Sequence, residues 1–499
     1  MTATENGPSG NQPGVSGSGV ESAEADLASF GYRQQLRRSM GGYSSFALAF
    51  SMISITTTIF TLFPQPFQMV GGVAIWLWIP VTVATGAIAC VYGHLAARLP
   101  VTGYAYQWSS RLVSPHLGWF TGWNALLATL VGSASIAVAF GTIFAPLFFA
   151  NPTHGNVILL ASVAVVAAVA INIVSIRFAS RINDAGASAE LFGTLGLTAV
   201  LAVGLLFFRD SQGPGVLFQT GSSQGSPITL TSIGLAFLLP VYTLLGWEGS
   251  ADLAEETNDP RRNAPRAMIR SVLISGLAGF LVFAVFAMAI PGKLADTVNS
   301  TDFNPMVHVF DVQLGTAASD LLQVIVFMSV FSCLLANVAV ATRTGFALAR
   351  DGMLPFSRLW ANVNDRTRTP VAPIVAVGAV AIGVNFLSAG QAANVTAITS
   401  VVCYVTYSST MVAVMIAKRR GSIPDAGPGR FDMGRWLVPV AVVTLVWCVG
   451  ICLFMTVPEA NRAAGVTTLF FELAGGVWYL LRLRGKIVRG EAGPAVSGR

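Results

Sequence analysis

Pro240-Val241-Tyr242-Thr243-Leu244-Leu245-Gly246-Trp247-Glu248-Gly249-Ser250-Ala251-Asp252 lies inside an apolar run covering residues 229–254. Its proline removes one helix donor, and two glycines bracket a carboxylate. What this mixture means depends on the solvent, and the composition of the chain decides that. Of 499 residues, 54% are hydrophobic and only 10% charged, with a mean hydropathy of +0.66. Soluble proteins carry roughly 25% charged residues, so in water much of this surface would go uncovered. The bilayer is the natural solvent, and there an ionisable residue within a span is a functional candidate by default. That reading places Glu248 in a cavity. The competing reading places it at the end of the span, because Asp252, Glu255 and Glu256 follow within two turns and can pair with the arginine-rich loop beyond them.

A hydrocarbon core about 30 Å thick requires about 20 apolar residues per helix. Twelve segments meet that requirement: 43–67, 71–97, 117–149, 156–176, 184–208, 229–254, 268–291, 316–348, 372–389, 393–417, 435–457 and 464–483. With both termini on the same side, 26 of the 29 lysines and arginines fall on that side, and only Arg209, Lys293 and Arg462 fall opposite. This positive-inside asymmetry predicts cytoplasmic termini. It also gives the net charge of +6 its meaning: the cations anchor topology and form no patch for nucleic acid. The first residues are Gly-, Ser- and Pro-rich, hold Glu5, Glu21, Glu24 and Asp26, and lack a secretory signal. They read as a disordered tail, extending to residue 38.

Other interruptions are visible. Ser54-Ile55-Thr56-Thr57-Thr58-Ile59-Phe60 places three β-branched hydroxyl residues in the first span. Either the helix breaks here or the hydroxyls back-bond within an unbroken one. Glu190 lies about 13 Å into the fifth span by helix rise from Arg181, deep enough to need a partner, a proton or water. It reads as a structural carboxylate or as a proton carrier. Ser329, Ser332 and Asn337 in the eighth span, and Ser133 and Ser135 in the third, either line a path or allow close helix packing. Glu472 in the last span suggests a helix–helix contact. Tyr242, Trp247, Tyr404 and Tyr407 are candidates for cation–π contact as well as for packing.

The five cysteines all lie in apolar stretches, and His94, His116, His154 and His308 are scattered near span ends. Neither a disulfide framework nor a metal site is expected, and no cofactor. A membrane-embedded enzyme would need a catalytic constellation with a buried histidine, and a sensor would add a folded soluble domain. Neither is expected from this sequence.

Three further segments carry a family resemblance: Leu99-Pro100-Val101-Thr102-Gly103-Tyr104-Ala105-Tyr106-Gln107-Trp108; Gly246-Trp247-Glu248-Gly249-Ser250 continuing through Ala254-Glu255-Glu256-Thr257-Asn258-Asp259-Pro260-Arg261-Arg262-Asn263-Ala264-Pro265-Arg266; and Ala349-Arg350-Asp351-Gly352-Met353-Leu354-Pro355 with Arg368-Thr369-Pro370. On these, the chain resembles the amino acid–polyamine–organocation permeases, most closely the branch that takes amino acids and choline, from about residue 40 to 485. The resemblance implies an all-α integral membrane protein of twelve transmembrane helices in a leucine-transporter-like 5+5 inverted repeat. The first repeat would cover 39–208 and the second 209–417, followed by two helices in 418–483 and a cytoplasmic tail, 484–499.

It also implies a permease that moves an amino acid or related small amine by alternating access. Choline, polyamines or 4-aminobutyrate are alternative cargoes, and exchange is an alternative mode. Substrate would bind between mid-membrane breaks in the first and sixth helices, at Thr56, Thr57, Thr58, Tyr242, Thr243, Gly246, Trp247, Glu248 and Gly249. Backbone N–H groups at the first break would receive a substrate carboxylate, and Tyr242 would act as an aromatic gate. Where the family often has Gly-x-Gly before Ile-Phe, this chain has three threonines, so the break should be smaller. Coupling would use a proton, through Glu248 or Glu190, or sodium, through hydroxyls near Ser332 and Asn337. The protein would work in the cell membrane as a monomer or homodimer.

Overall fold

The computed structural model describes residues 27–36, 38–207, 210–223, 225–300, 304–364, 368–387 and 392–495. Arg37, Arg209, Arg366, Arg499 and the acidic residues of the first 26 positions lie outside the described residues. Within them the chain is helical, and the only strand-like pairing is an isolated bridge between Met40 and Thr257.

The first span is two helices, α1 (Gly42–Ile53) and α2 (Ile55–Leu62). Then follow α3 (Trp78–Ala96), the short α4 (Tyr104–Leu112), α5 (Pro115–Phe148) and α6 (His154–Val174). The fifth span runs as α7 (Ile176–Ser188), a π-helical turn (Ala189–Thr194) and α8 (Leu195–Gly204). The sixth is again divided, into α9 (Leu230–Ala236), α10 (Leu238–Thr243) and α11 (Gly249–Asp252). Beyond it come α12 (Pro260–Ala289), the short α13 (Pro305–Leu314), α14 (Thr316–Arg350), α15 (Val371–Leu387) and α16 (Ala392–Arg420). The last two are α17 (Leu437–Thr456) and α18 (Arg462–Trp478).

The order repeats itself: a divided helix, a long helix, a short one, a very long one of 34 or 35 residues, then two more. Ten helices among the described residues are long and apolar enough to cross a membrane, and the segments Leu230–Thr243 and Val371–Leu387 are apolar but shorter. The sixth expected span is short because its helix stops at Thr243. Two helices start about eight residues before the expected boundaries. The Ser175 side chain accepts from the Phe178 amide and starts α7 at Ile176, and Pro260 occupies the first turn of α12. In both cases a polar first turn extends the helix beyond its apolar portion, which a count of apolar residues does not see.

Burial separates core from periphery. The apolar window of α5 is 89% buried and that of α14 78%, against 28% for α17 and 17% for the last span. α5 and α14 are therefore the central posts; the first divided helix packs on both, and the sixth packs on α14 through α11. Near the N-terminus, Leu27, Tyr32 and Leu36 are buried. Residues 27–36 thus pack on the bundle, inside the stretch read as a tail, because these three side chains find apolar and polar partners there. At the other end, the Gly493 amide donates to the Asp351 carbonyl at 2.8 Å, so part of the C-terminal segment is docked as well.

Candidate functional site

The first helix breaks at Ser54, which takes a left-handed conformation (φ 37°, ψ 81°). The break is one residue wide and lies just before the threonine run. The threonines themselves form the first turn of α2, so of the two readings of this segment the structure takes the broken helix, with the narrow break expected of threonines in place of glycines.

A helix start leaves its first N–H groups without intrahelical partners, and here those of the threonines can be traced. The Thr56 amide donates to Glu190 Oε1 at 3.0 Å, and the Thr56 hydroxyl donates to the same oxygen at 3.1 Å. The second carboxylate oxygen, Oε2, is buried and makes no hydrogen bond among the described residues. The Thr57 amide donates to Ser54 Oγ at 3.4 Å. By Thr58 the helical ladder has begun, with its amide on the Ser54 carbonyl. The N–H groups expected to receive a substrate carboxylate are therefore occupied by the protein's own groups.

Glu190 reaches them from the π-helical turn, whose extra residue per turn changes the direction of its side chains. It is 1% exposed. Behind it, hydroxyls tie the first helix to α14: Thr56 Oγ1 lies 2.6 Å from Ser329 Oγ, Ser54 Oγ 3.3 Å from Ser329 Oγ, and Ser51 Oγ 3.0 Å from Ser332 Oγ.

The sixth helix opens more widely, with Leu244–Glu248 outside any helix. Gly246 has φ +90°, and a Cβ there would lie 3.0 Å from Met52 Cβ, so the two breaks touch directly. Gly246→Ala is expected to destabilise the protein by about 1–2 kcal/mol, the cost of a left-handed L-residue, read as a lower unfolding temperature in detergent. Glu248 stands at this break. Tyr407 donates to its Oε2 at 2.9 Å. Each break thus holds a buried carboxylate.

Between the breaks lies a cavity of about 50 Å³, room for a few waters. Ser54, Thr57 and Thr58 line it from the first break, and Tyr242, Gly246 and Glu248 from the sixth. Asn337, Cys333, Thr129, Thr399 and Tyr104 add to its walls, and the rest of the lining is largely apolar, including Ile53, Ile136, Leu245 and Val340. Glu248 is 6% exposed and faces this space, so the cavity reading and not the span-end reading describes its surroundings.

Several candidates turn elsewhere. Thr56 points to Glu190. Thr243 back-bonds to the Leu239 carbonyl. Trp247 stacks on Tyr407, with centroids 5.5 Å apart, and meets Tyr92 edge-on. Gly249 packs on Met52 and Val340. Ser332 bonds Ser51, and Tyr404 packs edge-on against Tyr407. Of the candidates that do line the cavity, Tyr242 donates to Ser135 Oγ at 2.9 Å, and Asn337 donates to the Thr129 carbonyl and to Ser133 Oγ, both at 2.8 Å. Glu472 accepts from Asn124 of α5 at 3.3 Å, a helix–helix contact. Ser54, Tyr104, Cys333, Thr129 and Thr399 were not among the sequence candidates. Tyr104 stood in a quoted motif, whereas nothing in the sequence distinguishes Ser54 from neighbouring serines.

The cavity is sealed toward the termini by a polar layer. Arg343 pairs with Glu256 at 2.7 Å and Arg350 with Glu255 at 3.0 Å. Asp252 accepts from the Gly103 amide and the Thr344 hydroxyl. The acidic residues after Glu248 thus pair mainly with α14, and not with the arginine-rich loop, because α14 passes directly beside them. Below this, Tyr32 donates to Asp351 at 2.8 Å, Tyr106 and Gln107 bond the same carboxylate, and the Arg350 guanidinium lies 3.7 Å from the Tyr32 ring centroid. Burial pushes the Asp351 carboxyl above the ordinary range, against the pull of Arg350 and of these donors.

Comparison with known proteins agrees with this geometry. Residues 40–478 match the family described as amino acid permease. The chain is similar to amino-acid permease BAT1 of Arabidopsis thaliana, at 24% identity over 91% of this chain and 92% of that protein. It is similar to amino-acid permease 2 of Neurospora crassa, at 25% over 93% and 88%, and to a putative polyamine transporter of Candida albicans, at 23% over 92% and 89%. With the family match spanning nearly all of the helical bundle, the chain belongs to the amino acid permease family.

Proposed function

We propose that this permease carries an amino acid or related small amine across the cell membrane, with both termini cytoplasmic, by exposing the cavity between its two breaks to each side in turn. The transport reading rests on family membership, and the relatives named as amino-acid permeases and as a putative polyamine transporter support the cargo class. The charge asymmetry of the loops supports the orientation.

We further propose that transport is coupled to a proton held on Glu190. The observation that carries this is the shared contact of Glu190 with the Thr56 amide and hydroxyl at the break of the first helix, beside Ser329 of α14. As an anion, Glu190 caps α2 and favours the helix N-terminus electrostatically. Protonation removes that charge and loosens α2 from α7 and α14. Substrate movement and proton movement then share one hinge.

In proteoliposomes, an inward acid gradient should drive substrate accumulation by the wild type. Glu190→Gln should abolish accumulation and retain counterflow exchange. Accumulation that follows a sodium gradient and ignores pH would overturn the proton assignment.

A further inference from the structure

We infer that the cargo of this permease is a small organic cation without a carboxylate, an amine and not an α-amino acid. The inference rests on the transport reading above and narrows its cargo. A zwitterionic amino acid brings two charged ends, and each needs partners in a water-poor cavity. The ammonium end has an obvious one in Glu248. The carboxylate end has no charged partner and only a few neutral hydroxyls.

The threonine amides freed at the first break are already occupied. Thr56 offers its amide to Glu190, and Thr57 offers its amide to Ser54. Glu190 thus takes the place a substrate carboxylate would need. Most side-chain donors of the cavity wall are spent too. Both Asn337 amide hydrogens go to Thr129 and Ser133, Tyr242 donates to Ser135, and the Thr58, Thr129 and Thr399 hydroxyls donate to carbonyls of their own helices.

What these groups still offer a ligand is lone pairs: hydroxyl oxygens, Asn337 Oδ1 and the Glu248 carboxylate. The uncommitted O–H donors in the wall are neutral, Tyr104 and one hydrogen of the Ser54–Thr57 hydroxyl pair. No lysine, arginine or histidine lines the cavity. A largely apolar wall whose one ionisable carboxyl is Glu248 complements an ammonium, whereas a carboxylate would meet Glu248 with no cation to offset it.

Matched pairs test this directly. Tyramine with tyrosine, isoamylamine with leucine, putrescine with ornithine and cadaverine with lysine would be compared as exchange substrates and competitors in counterflow on the reconstituted full-length protein. At least one amine should exchange, with its parent amino acid at least tenfold weaker. A parent amino acid that exchanges as well as or better than its amine would overturn the inference while leaving the transporter reading standing. Exchange of neither member of any pair would overturn both.

Discussion

Glu248→Gln is expected to lower substrate uptake in proteoliposomes by about 10- to 100-fold, with protein yield and elution profile unchanged. The size follows from losing a charge-assisted interaction, about 1.5–3 kcal/mol, where each 1.4 kcal/mol is tenfold. Gln keeps the volume and can still accept from Tyr407, whose hydroxyl lies 2.9 Å from the carboxylate, so the aromatic packing of Tyr407 on Trp247 should persist. Only the negative charge facing the cavity is removed. A structural carboxylate would behave differently, with lower thermal stability and uptake reduced only in step with it. Unchanged uptake would take Glu248 out of the mechanism.

The largest stability effect is expected at Arg343. Its side chain is fully buried and pairs with a Glu256 that is 1% exposed. Arg343→Met leaves that carboxylate buried without its cation, which costs about 3–5 kcal/mol. The purified variant should unfold at a clearly lower temperature. Because removing both charges avoids the orphaned carboxylate, the Arg343→Met/Glu256→Leu double variant should regain most of the loss. A single variant as stable as the wild type would mean that water or another cation reaches Glu256. The pair sits in the polar layer between the cavity and the termini, so the double variant also tests whether this layer contributes to alternation: a stable protein with altered transport would identify a gate.

Much of the site was legible one residue at a time. Glu248 stood out because a carboxylate between two glycines in an apolar run is costly unless it does something. The threonine run marked the neighbourhood of the first break, though the break itself falls on Ser54. Trp247, Thr243 and Gly249 were adjacent in sequence to cavity residues yet face away from the cavity, because in a helix or tight turn neighbouring side chains point in different directions.

Glu190 was visible as an anomaly but not as a cap. Its partner Thr56 lies 134 residues away, and only the packing of α7 against the first helix brings them together. The same holds for Tyr32 and Asp351, separated by 319 residues. The sequence alone determined the solvent, the approximate helical segments and a charge asymmetry, since each is a local sum over apolar lengths or loop charges. Which donors remain free for a ligand was decided only by the tertiary structure, because a buried N–H must find some partner and the nearest one can come from anywhere in the chain.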